Sequence, residues 1–230
     1  MKVGLLLCDE VRPEFQPQFG KYPPMFERLF PDYEFVIYDV RKKEFPKEVA
    51  DCDVYMATGS HHSVYEELDW IQATQAFIRK IQAANGYFIG FCFGHQLMAE
   101  ALGGKVVKAV DKGWCVGVHQ FEVYQTQKWM QPAKNPVHFL MMCQDQVVEL
   151  PEDGVCLAGN ERCPNAIVQV GERMMSVQAH PEFTKDYNRL LMETRGDRMG
   201  AETVRKGMAS LELLINTAVF RDWVAAFLGG

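Results

Sequence analysis

Hydrophobic positions along this chain fall into short apolar runs alternating with longer stripes at helical spacing. Residues 3–7, 34–40 and 53–57 are apolar runs bounded by polar or turn-forming residues, and each reads as a buried strand. Pro23-Pro24 opens a helix that runs to Phe30, since proline in a first helical turn forfeits no hydrogen bond. The segment from Glu10 to Tyr22, interrupted by prolines and carrying aromatics, reads as a loop near the site. Trp70, Thr74, Phe77, Ile78 and Ile81 recur at helical spacing and predict a core-facing helix that ends near Asn85-Gly86. Tyr87-Phe88-Ile89 is again a strand, and Leu97, Met98, Ala101 and Leu102 mark the apolar side of a helix starting near Gln96.

This strand–helix–strand order predicts an α/β fold, with a mostly parallel central sheet flanked by helices and ligands bound at the carboxyl ends of its strands. After Gly103-Gly104 the pattern changes. Runs at 105–110, 116–125, 137–142, 155–158, 166–170 and 173–177 follow one another without helices and predict a small antiparallel extension, with Lys128 to Pro136 an exposed turn. Residues 186–230 are helical in pattern. Leu211, Leu214, Ile215, Ala218 and Val219, then Trp223 and Phe227, predict an amphipathic helix or helix pair. The expected organisation is one domain over residues 1–185 and a helical C-terminal extension over 186–230 packed on it.

Composition narrows the class. Hydrophobic residues make up 48% and charged residues 23% of 230, enough apolar material for a large core without disulfide staples. The net charge of −6 is spread without a basic stripe, so no nucleic-acid partner is expected. No apolar stretch is long enough for a membrane span. The run from Val3 to Leu7 is cut short by Asp9, Glu10 and Arg12, so it reads as a first strand rather than a leader. Seven cysteines, an odd number without a Cys-x-x-Cys pair, point to reduced thiols and a cytoplasmic location. His61-His62 has no companion at ligand spacing, so neither a metal nor another cofactor is expected.

The chemistry concentrates around Cys92, in Gly90-Phe91-Cys92-Phe93-Gly94-His95-Gln96. A thiol between glycines at a strand-to-helix corner has the form of a nucleophile elbow. The turn is sharp, small flanks let substrate approach, and the adjacent helix N-terminus favours thiolate. A base is available in Val177-Gln178-Ala179-His180-Pro181-Glu182. In an extended segment residues two apart share a side, so Glu182 is placed to hold the His180 ring. His180 is then placed to take a proton from Cys92 and deliver it to a leaving amine. Alone, Cys92 reads as a small buried apolar residue and His180 as a structural histidine; together, at the ends of two strands, they favour catalysis.

These two segments resemble the class I (triad) glutamine amidotransferase family, in particular free-standing relatives of the GMP synthase glutaminase domain. The resemblance covers roughly residues 1–185 and implies a flavodoxin-like fold and a Cys-His-Glu triad. It also implies cleavage of a γ-glutamyl amide through a γ-glutamyl thioester. It assigns oxyanion-hole N–H groups to the loop at Gly59 and Ser60 and to Phe93, although Ser60 and His61 stand where the family has Gly and Pro. It places Gln96 along the substrate and Asp145 at the same pocket, with Gln144 replacing a usual histidine. Lys112-Gly113-Trp114 borders that pocket or belongs to the core.

The chain carries no phosphate-binding P-loop, so if it donates ammonia the acceptor belongs to a separate synthetase subunit. Three functions follow. The first is a glutaminase releasing ammonia from glutamine; the second is a γ-glutamyl hydrolase or peptidase. The third, a non-catalytic regulatory protein, has no need of all three of Cys92, His180 and Glu182. The triad does not choose between the first two, and self-association is left open.

Overall fold

The computed structural model describes residues 1–229. Eleven strands form: β1 (Lys2–Leu6), β2 (Glu34–Tyr38), β3 (Val54–Ala57), β4 (Tyr87–Phe91), β5 (Lys105–Lys108), β6 (Cys115–Val123), β7 (Val137–Cys143), β8 (Asp145–Glu149), β9 (Gly154–Gly159), β10 (Ile167–Val170) and β11 (Met174–Val177). The helices are α1 (Gln16–Phe19), α2 (Tyr22–Leu29), α3 (Asp69–Ala83), α4 (Phe93–Ala101), α5 (Lys185–Thr194), α6 (Gly196–Met199), α7 (Ala201–Ser210) and α8 (Thr217–Gly229).

Nine strands make one sheet in the order β2-β1-β3-β4-β11-β10-β9-β6-β7. The first five run parallel, and from β11 onward neighbours are antiparallel. The expected antiparallel extension is therefore continuous with the parallel half. Only β5 stands apart, paired with β8 in a two-stranded ribbon. β8 falls in a stretch with no strand pattern of its own, because Asp145 and Gln146 open it with polar side chains.

Both faces of the parallel half are covered. On one side α3 buries Trp70, Ile71, Thr74, Phe77, Ile78 and Ile81, the stripe expected from spacing plus Ile71. On the other, Phe26 of α2 meets Phe91 edge-on at 4.9 Å between ring centroids, and Phe91 in turn meets Phe220 of α8 at 5.8 Å. Burial on both faces explains why β1, β3 and β4 are continuous apolar runs without alternation.

The C-terminal segment differs from the expected stripe. Helix α7 stops at Ser210 and α8 starts at Thr217, so Leu211 and Leu214 do not share a helical face; Leu211 is buried and Leu214 is 84% exposed. The break is set by Asn216, whose N–H donates to the His138 carbonyl (2.9 Å) while its Oδ1 accepts from the His138 N–H (2.8 Å). This strand-like pairing with the start of β7 interrupts the helix. Helix α8 then buries Phe220, Trp223, Val224, Phe227 and Leu228 in the core shared with β4 and β7. The 128–136 turn is also anchored rather than free: Met130 is buried, and the Pro132 carbonyl accepts from Trp223 Nε1–H at 2.9 Å. Among the described residues, no helix is long and apolar enough to cross a membrane.

Because α8 fills the main core, Trp223→Ala should cost about 3–5 kcal/mol and lower stability of the whole chain in a single urea transition. A separate early transition of the C-terminal helices would show instead that they are an independent layer.

Candidate active site

Cys92 sits between β4 and α4 with φ 49° and ψ −97°, one of three non-glycine residues at positive φ among the described residues. Such a conformation costs a side-chain-bearing residue roughly 1–3 kcal/mol and lasts only where its surroundings enforce it. They do so here. A Cβ on Gly90 would lie 2.4 Å from the Gly94 carbonyl oxygen, and one on Gly94 would lie 2.4 Å from that of Ala57. Strand, elbow and helix thus approach more closely than any side chain allows. The Cys92 N–H donates to the Val177 carbonyl at 2.8 Å, tying the elbow to the end of β11, from which the chain continues to His180.

His180 Nδ1 and Glu182 Oε1 are 2.7 Å apart, with both side chains buried. The ring stacks on Phe183, with centroids 4.0 Å apart and planes 12° from parallel, and the His180 N–H is held by the Leu140 carbonyl at 2.8 Å. Burial alone would depress the imidazole. The adjacent Cys92 and Glu182 outweigh it and push His180 from 6.5 up to about 10. His95, three residues after Cys92, is the opposite case. It is buried with only Ser176 Oγ as a ring partner, at 2.8 Å, and is driven down to about 3, so it stays neutral.

The Gly59 loop closes the third side. A Cβ on Gly59 would stand 2.8 Å from His180 Cε1, so glycine is what lets backbone and imidazole meet. Thr58 Oγ1 accepts from the Cys8 N–H (2.9 Å) and donates to the Gly59 carbonyl (3.1 Å). Asp9 Oδ2 takes the His61 N–H and lies against His61 Nδ1, each at 2.9 Å; this hydrogen bond raises the His61 ring despite partial burial. His61 thus anchors this turn on a carboxylate. His62 Nδ1 meets Glu66 at 2.8 Å, so the adjacent histidines serve the loop, and no metal-holding cluster forms among the described residues. Neither the Gly59 nor the Phe93 N–H meets a protein acceptor among the described residues.

Gln96 donates from Nε2 to the Asp145 carbonyl (3.0 Å) and to Gln178 Oε1 (3.1 Å), and Gln178 Nε2 donates to Cys92 Sγ at 3.5 Å. Asp145 Oδ2 accepts from Ser63 Oγ at 2.6 Å. A cavity of about 100 Å³ lies over these groups, lined by Ser60, His61, Cys92, Gln96, Trp114, Cys143 and Asp145 together with Lys108, Arg195 and Arg198. Trp114 thus borders the pocket while packing partly into the core.

Of the residues singled out from sequence, Cys92, His180 and Glu182 come together, with Gly59, Ser60, Phe93, Gln96 and Asp145 around them. Three were missed. Gln178 obeys the same two-residue alternation as His180 and Glu182, so the signal was present. Arg195 and Arg198 come from beyond the motif-bearing segment, and nothing local links them to Cys92.

A family model described as glutamine amidotransferase class-I matches residues 33–193, more than half of the chain, and the chain belongs to that family. Gamma-glutamyl peptidase 4 of Arabidopsis thaliana is 29% identical over 177 residues, covering 73% of this chain and 70% of that protein. GMP synthase (glutamine-hydrolyzing) of Shewanella sediminis is 30% identical over 105 residues, 42% of this chain and 20% of that protein. A glutamine amidotransferase structure from Thermotoga maritima superposes with a TM-score of 0.74 at 18% identity over 99% of both chains, which shows a shared fold.

The raised His180 value carries a sign. A histidine whose folded pKa exceeds its ordinary 6.5 adds stability that is complete below that value and lost as pH rises through about 10. Glu182→Gln removes one raising partner, so histidine-selective NMR should find His180 titrating at lower pH than in the parent. An unchanged titration would show that Glu182 does not act on the ring.

Proposed function

We propose that this chain is a cysteine-dependent amidohydrolase that opens γ-glutamyl amides, glutamine giving glutamate and ammonia. The observation that carries this reading is the buried His180–Glu182 pair, 2.7 Å between Nδ1 and Oε1, set beside Cys92. Cys92 passes its thiol proton to His180, and its Sγ attacks the γ-carbonyl carbon and forms a C–S bond while the carbonyl electrons move to oxygen. In this reading the N–H groups of Gly59 and Phe93, with Ser60 in the same turn, receive that oxygen; such preorganised donors contribute roughly 3 kcal/mol each. Collapse of the tetrahedral species breaks the C–N bond as His180 gives its proton to the departing nitrogen. Water then attacks the γ-glutamyl thioester, passing a proton to His180 and releasing the thiolate.

Glu182 holds Nδ1 so that Nε2 is the working nitrogen, and Gln178 donates to the sulfur. Gln96 is a positioning residue in this account, since its amide braces Gln178 and Asp145. Asp145 offers a carboxylate for the α-ammonium of the γ-glutamyl group. None of these steps calls on a metal or cofactor. A second reading, γ-glutamyl peptidase, uses the same steps with a larger departing amine. It is supported by the similarity to Gamma-glutamyl peptidase 4, which spans most of both chains.

With glutamine or a γ-glutamyl peptide as substrate, Cys92→Ala should abolish release of glutamate. Glu182→Gln should lower kcat by about 100-fold, the lower end of what a positioned acid–base contributes, with KM nearly unchanged. Glutamate release persisting in Cys92→Ala would remove the nucleophile from the account.

A further inference from the structure

The cavity over Cys92 is positively charged on a protein whose net charge is −6. Three permanent cations line it, Lys108, Arg195 and Arg198, against one carboxylate, Asp145. Asp145 already accepts the Ser63 hydroxyl, and the neighbouring Asp9 is taken up by His61. Neither arginine has a carboxylate partner among the described residues; the Arg198 guanidinium lies 5.8 Å over the Trp114 ring. Their backbone is nonetheless fixed, with Arg195 half-buried and Arg198 exposed. The Arg195 N–H donates to the Leu191 carbonyl (3.1 Å) and the Arg198 N–H to that of Arg195 (3.0 Å). The α7 helix that follows is pinned to β6 where Ser210 Oγ accepts from the Val118 N–H at 2.8 Å.

Glutamine is a zwitterion whose α-carboxylate calls for one cation and whose α-ammonium calls for one anion. That leaves two cations without a role, and guanidinium groups lining a nucleophile's cavity without a carboxylate partner suit recognition of a carboxylate. Resting on the γ-glutamyl amidohydrolase reading, we infer that Arg195 and Arg198 form a leaving-group subsite. It selects γ-glutamyl peptides whose departing amine carries its own free carboxylate. The segment outside the signature motifs thereby sets specificity, and free glutamine becomes the minimal substrate.

The test uses γ-Glu-Ala-Gly with a free C-terminal carboxylate and the same peptide as its C-terminal carboxamide. Binding of both to the full-length Cys92→Ala protein is measured by calorimetry, and turnover of both by the parent protein. The acid should bind about 10–100-fold more tightly than the carboxamide, the range for a charge-assisted bond. The acid-to-carboxamide ratio of kcat/KM should favour the acid in the same direction. Adding Arg195→Gln and Arg198→Gln should bring the affinity ratio close to one, and Arg→Lys replacements should restore it in part. Equal affinity for acid and carboxamide, or a preference that survives loss of both arginines, overturns the subsite. If the double variant does not fold, the acid-to-carboxamide ratio in the Cys92→Ala protein decides alone. A clear acid preference in binding without Cys92-dependent turnover of any γ-glutamyl compound would leave the subsite standing and refute the hydrolase reading.

Discussion

The site depends on one backbone turn. Cys92 is held at φ 49° and ψ −97°, and its N–H is bonded to Val177 of the neighbouring strand. Parallel pairing of β4 with β11 sets Phe91 opposite Val177. The two strands therefore end level, one delivering the thiol and the other, three residues later, the imidazole. A slip of one residue between them would turn every side chain to the other face and separate the pair. The glycines at 90 and 94 exist to let this happen, since the approach of β4, α4 and β3 leaves no room for a Cβ.

Electrostatics then separates roles among groups that look alike in sequence. His95 and His180 are both buried, yet one is driven down to about 3 and the other up to about 10. The difference is partnership: His95 meets a neutral hydroxyl, whereas His180 lies between Cys92 and a buried carboxylate. The loop histidines also meet carboxylates, His61 on Asp9 and His62 on Glu66, so the turn after Gly59 is braced by hydrogen bonds.

Much of this was legible in the chain itself. Short apolar runs located most of the strands, most plainly β1, β3 and β4, which are buried on both faces. The Gly-x-Cys-x-Gly corner and the His-Pro-Glu segment marked a candidate site because few other settings place those residue types together, and the fold brings the two segments side by side. The failures have physical causes. β8 begins with Asp145, which lines the cavity, and Gln146, whose amide turns inward to Cys115 and Cys143, so its strand pattern is weak. The helical stripe through Leu211 and Leu214 was false because Asn216 pairs with His138, a contact made across 78 positions that no local pattern encodes. Arg195 and Arg198 reach the cavity only because the chain folds back after β11; read locally they are solvated cations near a helix end.

In the proposed reaction Cys92 carries the γ-glutamyl group during turnover. Rapid acid quench of the working enzyme with a γ-glutamyl peptide, followed by mass spectrometry of the peptide containing Cys92, tests it directly. The account predicts a transient mass increase of one γ-glutamyl group on Cys92, absent from Cys92→Ala and accumulating when deacylation is slowed. Turnover without any adduct on Cys92, or an adduct on another of the seven cysteines, would contradict it.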